Sequence, residues 1–407
     1  MCRNAINLSG IFSVTAILIL APVSSKGQGA ISDLDVAKQA LVEGRFDVAI
    51  ERLTAAIEAG PDRPEVFLLR GRARLAAKQL ERALGDFAVA VRLEPDSHDA
   101  RLCRGAAFLN SGESDRAVAD FSEAIRLHPT SFDAYAGRAL AYDKGGSLDL
   151  ALADADEAIR LRPDSDRAYF LRGTLYLSKG DPDRALKDFD ESLRLDESDD
   201  ARYSRAWVHN RLGHWNLALA DLNRARPESA NVRLECAYAY RERGDLDEAI
   251  DNYTEAISRD PAIVAAWVGR GIAFQRHEAL DKALADFDEA LRIDPNDVEA
   301  LVERASVYLQ RDEFAKAYLD CGQALEIDAQ LGQAYQMRAI AGLLQGNAEE
   351  ALRDVNAAIK LEPDDPSAYR KQAFIYRLLG RVEEMKDARR KASELTRTVP
   401  EPKRRRD

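Results

Sequence analysis

Cysteine, histidine and methionine are scarce in this chain, with 4, 5 and 3 copies in 407 residues. Four cysteines in so long a sequence exclude a disulfide-dense scaffold. The histidines, His98, His128, His209, His214 and His277, stand at unrelated places, and no set of His, Cys and carboxylate residues has the spacing of metal ligands. No metal site, cofactor or catalytic constellation is therefore expected. The close glycine pair Gly269 and Gly271 falls inside a helical pattern instead of following a strand, so it reads as packing and not as a nucleotide-binding loop. Positive charge is also in deficit, 58 Lys and Arg against 70 Asp and Glu for a net charge of -12, and the body of the chain has no long basic stripe. That argues against nucleic acid or anionic lipid as the main partner, since both reward clustered cations. A long apolar run is missing too: the one at residues 11–23 has 13 residues, short of the roughly 18 to 20 that a spanning helix needs.

Arg3 precedes that run, and Ser24, Ser25, Lys26 and Gly27 follow it. Basic, apolar and then small residues is the order of a secretory signal peptide. Residues 1–27 are expected to be such a segment, cleaved near Ser25 or Gly27, with a retained anchor as the alternative. The mature protein is then extracytoplasmic, either periplasmic or secreted. The remainder, in a chain 46% hydrophobic and 31% charged, has the composition of a packed soluble protein.

What the sequence has in abundance is a period. The segment starting at Ala117 recurs at Ala83, Ala151, Ala185 and Ala283, at a spacing of 34 residues with a single slip of four. Eleven repeats tile residues 30–399, starting at 30, 64, 98, 132, 166, 199, 230, 264, 298, 332 and 366. Position 8 of the repeat is Gly or Ala in all eleven, and positions 20 and 27 are Ala in ten, as two closely crossing helices require. Large residues at position 24 (Phe87, Phe121, Phe189, Tyr253, Phe287) fill the space between the helices. Gly at position 15 supplies the turn, and Pro at position 32 ends the second helix.

This pattern resembles the tetratricopeptide repeat family. The resemblance covers about nine-tenths of the chain and implies an all-α fold, a right-handed α-solenoid superhelix of about eleven stacked helix-turn-helix repeats. Only residues 1–29 and a basic tail at residues 400–407, with Lys403, Arg404, Arg405 and Arg406, lie outside the array. Repeat 6 is short, with 31 residues, and Pro227 at its position 29 should trim the second helix by about a turn.

One departure from the family's habit is systematic. Position 7, ordinarily apolar, is Arg in eight repeats: Arg70, Arg104, Arg138, Arg172, Arg205, Arg270, Arg304 and Arg338. Position 23 is Asp in the same eight: Asp86, Asp120, Asp154, Asp188, Asp221, Asp286, Asp320 and Asp354. The three repeats that lack one lack the other, so the pairing is expected inside each hairpin, as a buried bidentate clasp and not as a charged row offered to a ligand.

The resemblance also implies a concave groove lined by positions 2, 5, 9, 12 and 13 of the first helices. The subfamily that clamps carboxylates puts Lys at position 5 and Asn at position 9, and no repeat here has either. The expected function is an exported, non-enzymatic scaffold that binds protein or peptide partners in the groove, with a small-molecule or cell-wall glycan module as the alternative. Aromatic and Arg residues dominate binding hot spots, and around the short repeat Phe170, Tyr203, Trp207 and Tyr238 fall at groove positions bordered by Arg211 and Arg241. Trp207 in particular is expected to face the groove, whereas Trp215 and Trp267 fall at positions that pack inside the repeat.

Overall fold

The computed structural model describes residues 33–60, 62–225 and 229–398. The proposed signal segment, the basic tail and Pro227 lie outside them. All 22 elements among the described residues are helices, and there is no strand. In chain order they are α1 (Asp33–Val42), α2 (Phe46–Glu58), α3 (Pro64–Ala76), α4 (Leu80–Leu93), α5 (His98–Ser111), α6 (Ser114–Leu127), α7 (Phe132–Lys144), α8 (Leu148–Leu161), α9 (Asp166–Ser178), α10 (Pro182–Leu195) and α11 (Asp199–Arg211). There follow α12 (Trp215–Leu222), α13 (Ala230–Arg243), α14 (Leu246–Arg259), α15 (Val264–Arg276), α16 (Leu280–Ile293), α17 (Val298–Gln310), α18 (Phe314–Ile327), α19 (Gly332–Leu344), α20 (Ala348–Leu361), α21 (Pro366–Leu378) and α22 (Val382–Thr398). Two compact bodies result, one of residues Met1–His209 and the other of Asn210–Asp407. None of the described helices is long and apolar enough to cross a membrane.

The turn inside each hairpin needs one residue in the left-handed region, where a Cβ is penalised. Gly44, Gly112, Gly146, Gly180, Gly213, Gly244, Gly346 and Gly380 have φ between 71° and 99°. Lys78, Glu278 and Asp312 occupy the same place without being glycine, at φ 59° to 60°. The turn is thus imposed by the packing of the helices that it joins, and glycine merely eases it.

In both bodies the core is built from the small residues and the position-24 rings. Phe87, Phe189 and Phe287 are fully buried, as are the alanines at position 20 in the same repeats, Ala83, Ala185 and Ala283. Glycines make room for the rings from two sides. A Cβ on Gly71 or Gly271, at position 8, would stand 2.5 Å from Phe87 or 2.6 Å from Phe287 of the same repeat. A Cβ on Gly137 or Gly269, at position 6, would stand 2.6 Å from Phe121 or 2.4 Å from Tyr253 of the preceding repeat. So Gly269 and Gly271 accommodate two different rings. The thiols of Cys103, Cys236 and Cys321 are buried and free, and burial pushes Cys236 up to about 11 and Cys321 up to about 12.

Candidate functional site

The Arg and Asp rows form a ladder. In seven repeats, whose partners lie within one body, the Arg Nε and Nη2 donate to the two carboxylate oxygens of the position-23 Asp at 2.7–3.1 Å. The seven carboxylates, on Asp86, Asp120, Asp154, Asp188, Asp286, Asp320 and Asp354, are buried. Hydrogen bonding to Asp154 and Asp354 raises Arg138 and Arg338 above the ordinary guanidinium value. Arg205 and Asp221 belong to different bodies, and within its own body Arg205 reaches Asp190 at 2.7 Å.

The ladder has a third rung that the sequence analysis did not anticipate. The remaining Nη1 donates to position 25 of the preceding repeat: Arg70 to Thr54 at 3.2 Å, Arg138 to Ser122 at 3.0 Å and Arg172 to Asp156 at 2.8 Å. In the second body Arg270 reaches Thr254 at 3.0 Å and Arg304 reaches Asp288 at 2.7 Å. Where Arg is replaced by Gln372, the same place is held by Asn356 at 2.7 Å. These five guanidinium groups therefore tie the two helices of their own hairpin and the second helix of the neighbour, which makes them joints between repeats, whereas position 25 is Ala88 before Arg104 and Gly322 before Arg338.

The residues expected to line the groove divide between the bodies. In the first, Phe170 is 4% exposed, its ring tilted against Phe189 at a centroid distance of 5.6 Å. Trp207 is 9% exposed, so its ring belongs to the interior and does not offer the open face expected of it. Tyr203 is half-buried.

In the second body Arg211, Tyr238 and Arg241 do come together. The Arg211 guanidinium carbon stands 5.0 Å from the Tyr238 ring centroid and that of Arg241 5.1 Å, both within range for cation–π attraction. Arg241 is buried and also pairs with Glu242 at 3.0 Å, while Arg211 is exposed. Trp215, expected only to pack inside its repeat, joins this site, and so do Glu235 and Asn210. Trp215 meets Tyr238 edge-on at 5.9 Å. Glu235 is buried, accepts a hydrogen bond from Asn210 Nδ2 at 2.8 Å, and lies 3.7 Å from Arg211. Burial holds its carboxyl above the ordinary carboxylate range, against the pull of Arg211. The only signal in the sequence was Trp215 opening the helix that follows Arg211, and a position rule that assigns the ring inward hid it. Among the described residues no group of three His, Cys, Asp or Glu side chains could hold a metal ion.

A solenoid of helical hairpins with small residues at their crossings defines a class of repeat protein. Family models for the tetratricopeptide repeat match residues 34–98, 104–166 and 234–298, and a further one matches residues 166–199. The chain belongs to the tetratricopeptide repeat family. Among solved structures it is similar to YrrB, described as a tetratricopeptide repeat protein with an unusual peptide-binding site, at 28% identity over 44% of this chain and 95% of that one, with a TM-score of 0.40. It is also similar to yeast Tom70, at 16% identity over 90% of this chain and 92% of that one (TM-score 0.44), and to a chain of the APC/C hetero-tetramer Cut9–Hcn1, at 14% over 91% and 88% (TM-score 0.45). No curated protein matches the chain.

Proposed function

We propose that this chain is an exported, non-enzymatic scaffold that binds a protein or peptide partner along its first-helix faces. Proteins of this repeat family are typically scaffolds without catalytic activity, and that membership supports the general reading. The observation that carries it to a place is Tyr238, held between the guanidinium groups of Arg211 and Arg241 beside Trp215. Aromatic and Arg side chains bury much area with few rotors and can bond carbonyls or carboxylates, which is why they dominate hot spots. The Arg211 side chain is 43% exposed, within reach of a partner, while it also faces Glu235 at 3.7 Å.

Affinity capture with the mature chain as bait tests this reading. Replacing Tyr238 by Ala, with Arg211 kept because it faces the buried Glu235, is expected to weaken capture by at least about 2 kcal/mol while the melt stays nearly unchanged. A lower melt with capture intact would mean that the stack only packs. Export has its own check: fractionation should recover a chain beginning near Lys26 or Gln28 outside the cytoplasm, and a full-length cytosolic product would refute it.

A further inference from the structure

Repeat 10 breaks the packing rule in a way that leaves a hole. Its position 24 is Val355, where Phe or Tyr fills the same space in five other repeats; Val355 packs with Ala339 of α19 and Ile375 of α21 but is smaller than a ring. A cavity of about 270 Å³ opens there between α19 and α21, lined by Val355, Ile340, Leu343, Leu344, Phe374 and Ile375. Ile340, Leu343 and Leu344 come from α19 and Phe374 from α21, the first helices of two successive repeats. The apolar surface continues outside it, with Phe374 45%, Leu344 56% and Leu378 56% exposed. Clustered exposed apolar side chains of this size mark interaction surfaces more often than isolated ones do.

The charged side chains that line the cavity are positive, while Asp365, near enough to attract Lys371, is bonded to Gln336 Nε2 at 2.7 Å. The only ionisable residues lining the cavity are Arg370 and Lys371, and Arg377 lies over the Phe374 ring at 4.9 Å. The bonds that hold the first two are to neutral groups: Arg370 Nη2 donates to Thr396 Oγ1 at 3.2 Å, and Lys371 Nζ to Gln336 Oε1 at 2.5 Å and Ser367 Oγ at 2.6 Å. In a chain with a net charge of -12, many of whose cations pair with carboxylates, as Arg138 does with Asp154 and Arg160 with Glu157, three cations around an apolar opening favour an acidic partner. The cavity falls below the roughly 300–1,000 Å³ typical of small-molecule pockets. It suits the side-chain anchors of a segment that lies across the surface.

We propose that the groove between α19 and α21 is a second docking site, which takes an acidic amphipathic peptide segment, its apolar side chains in the cavity and its carboxylates on Arg370, Lys371 and Arg377. The proposal shares the scaffold reading above but rests on different residues.

The test titrates the full mature chain into a fluorescein-labelled Leu/Glu amphipathic peptide of about fifteen residues, followed by anisotropy, beside a counterpart with Lys in place of Glu. The Glu peptide is expected to bind at least about tenfold more tightly than the Lys peptide. Leu344→Glu, at an exposed position, should lower that affinity by at least about tenfold, and Arg370→Glu with Lys371→Glu should reverse the preference between the peptides. Circular dichroism on each variant confirms that it is folded. Equal binding of the two peptides, no binding of either, or indifference to Leu344→Glu overturns the proposal. So does a dimer in sedimentation that Leu344→Glu abolishes, or binding of dodecanoate but not of the peptide, since those outcomes assign the groove to a second copy or to an acyl chain. Tyr238→Ala should leave the titration unchanged, so failure here with capture through Tyr238 retained sinks this inference alone.

Discussion

Replacing Arg138 by Ala is expected to cost about 3 to 5 kcal/mol of local stability, read by urea unfolding and by hydrogen exchange across α7 and α8. Asp154 is 6% exposed and takes both of its strong hydrogen bonds, at 2.7 and 2.8 Å, from that one guanidinium. Deleting the cation leaves a buried carboxylate without its partner, and Ser122 loses its donor at the same time. Because each repeat contacts mainly its neighbours, the loss should appear first as weakened protection in repeats 3 to 5. Replacing Arg138 by Met and Asp154 by Leu together should cost less than the single change, since no charge is then stranded. The exposed pair Arg160 and Glu157 is the control: it has similar distances but faces solvent, so Arg160→Ala should leave the melt unchanged. Gly322 supplies the converse. It holds position 25 below Arg338, where a Cβ would meet only Arg338 Nη1, at 4.0 Å. Gly322→Ser therefore adds the missing third rung and removes a helix-interior glycine, for an expected gain of about 1 kcal/mol. If Arg138→Ala costs no more than Arg160→Ala, the ladder is only decoration.

Much of this architecture was legible because it is written as residue identity at fixed spacing. Ala at positions 20 and 27 and small residues at position 8 give the hairpin, and Arg with Asp at positions 7 and 23 gives two of the three rungs. The third rung was hidden because position 25 varies in identity, and in Ala88 and Gly322 lacks an acceptor altogether, while Thr54, Ser122, Asp156, Asp288 and Asn356 share only the capacity to accept a hydrogen bond. Position 6 was hidden for a related reason, since its glycines serve a ring in the previous repeat. The aromatic site was read only in part. Position rules assume a full-length hairpin, whereas α12 has 8 residues against 14 for α8. Near that shortened helix the rule assigned Trp207 outward and Trp215 inward. Trp207 is buried, against its outward reading, whereas Trp215 is half-buried and packs edge-on against Tyr238. The cavity beside Val355 is the opposite case, an absence that no motif records.

Replacing Gly269 by Ala should destabilise the protein by about 1 to 3 kcal/mol, although the same change in an open helix stabilises. The ring of Tyr253 is 1% exposed and closes over Gly269 so tightly that an added Cβ would lie 2.4 Å from Cζ and 2.6 Å from the phenol oxygen. Neither group can give way cheaply. Gly269 sits in the interior of α15, and Tyr253 is packed with Ala237, Ala249 and Ala256, whose own small size leaves no second place for the ring. Overpacking of this kind forces side chains off their rotamers or shifts a helix. Gly85 provides the internal reference: it lies inside α4 with nothing within 4 Å of its Cβ position, so Gly85→Ala should raise stability by about 0.5 to 1 kcal/mol through helix propensity alone. The two substitutions are chemically identical and opposite in sign, which separates the ring contact from any general tolerance for alanine. A double-mutant cycle then locates the clash. In a Tyr253→Leu background the shorter side chain vacates the space over α15, and adding Gly269→Ala there should cost nothing further. If Gly269→Ala costs as much without the ring as with it, the glycine is needed for some other reason, and its pairing with Gly271 would have to be read again.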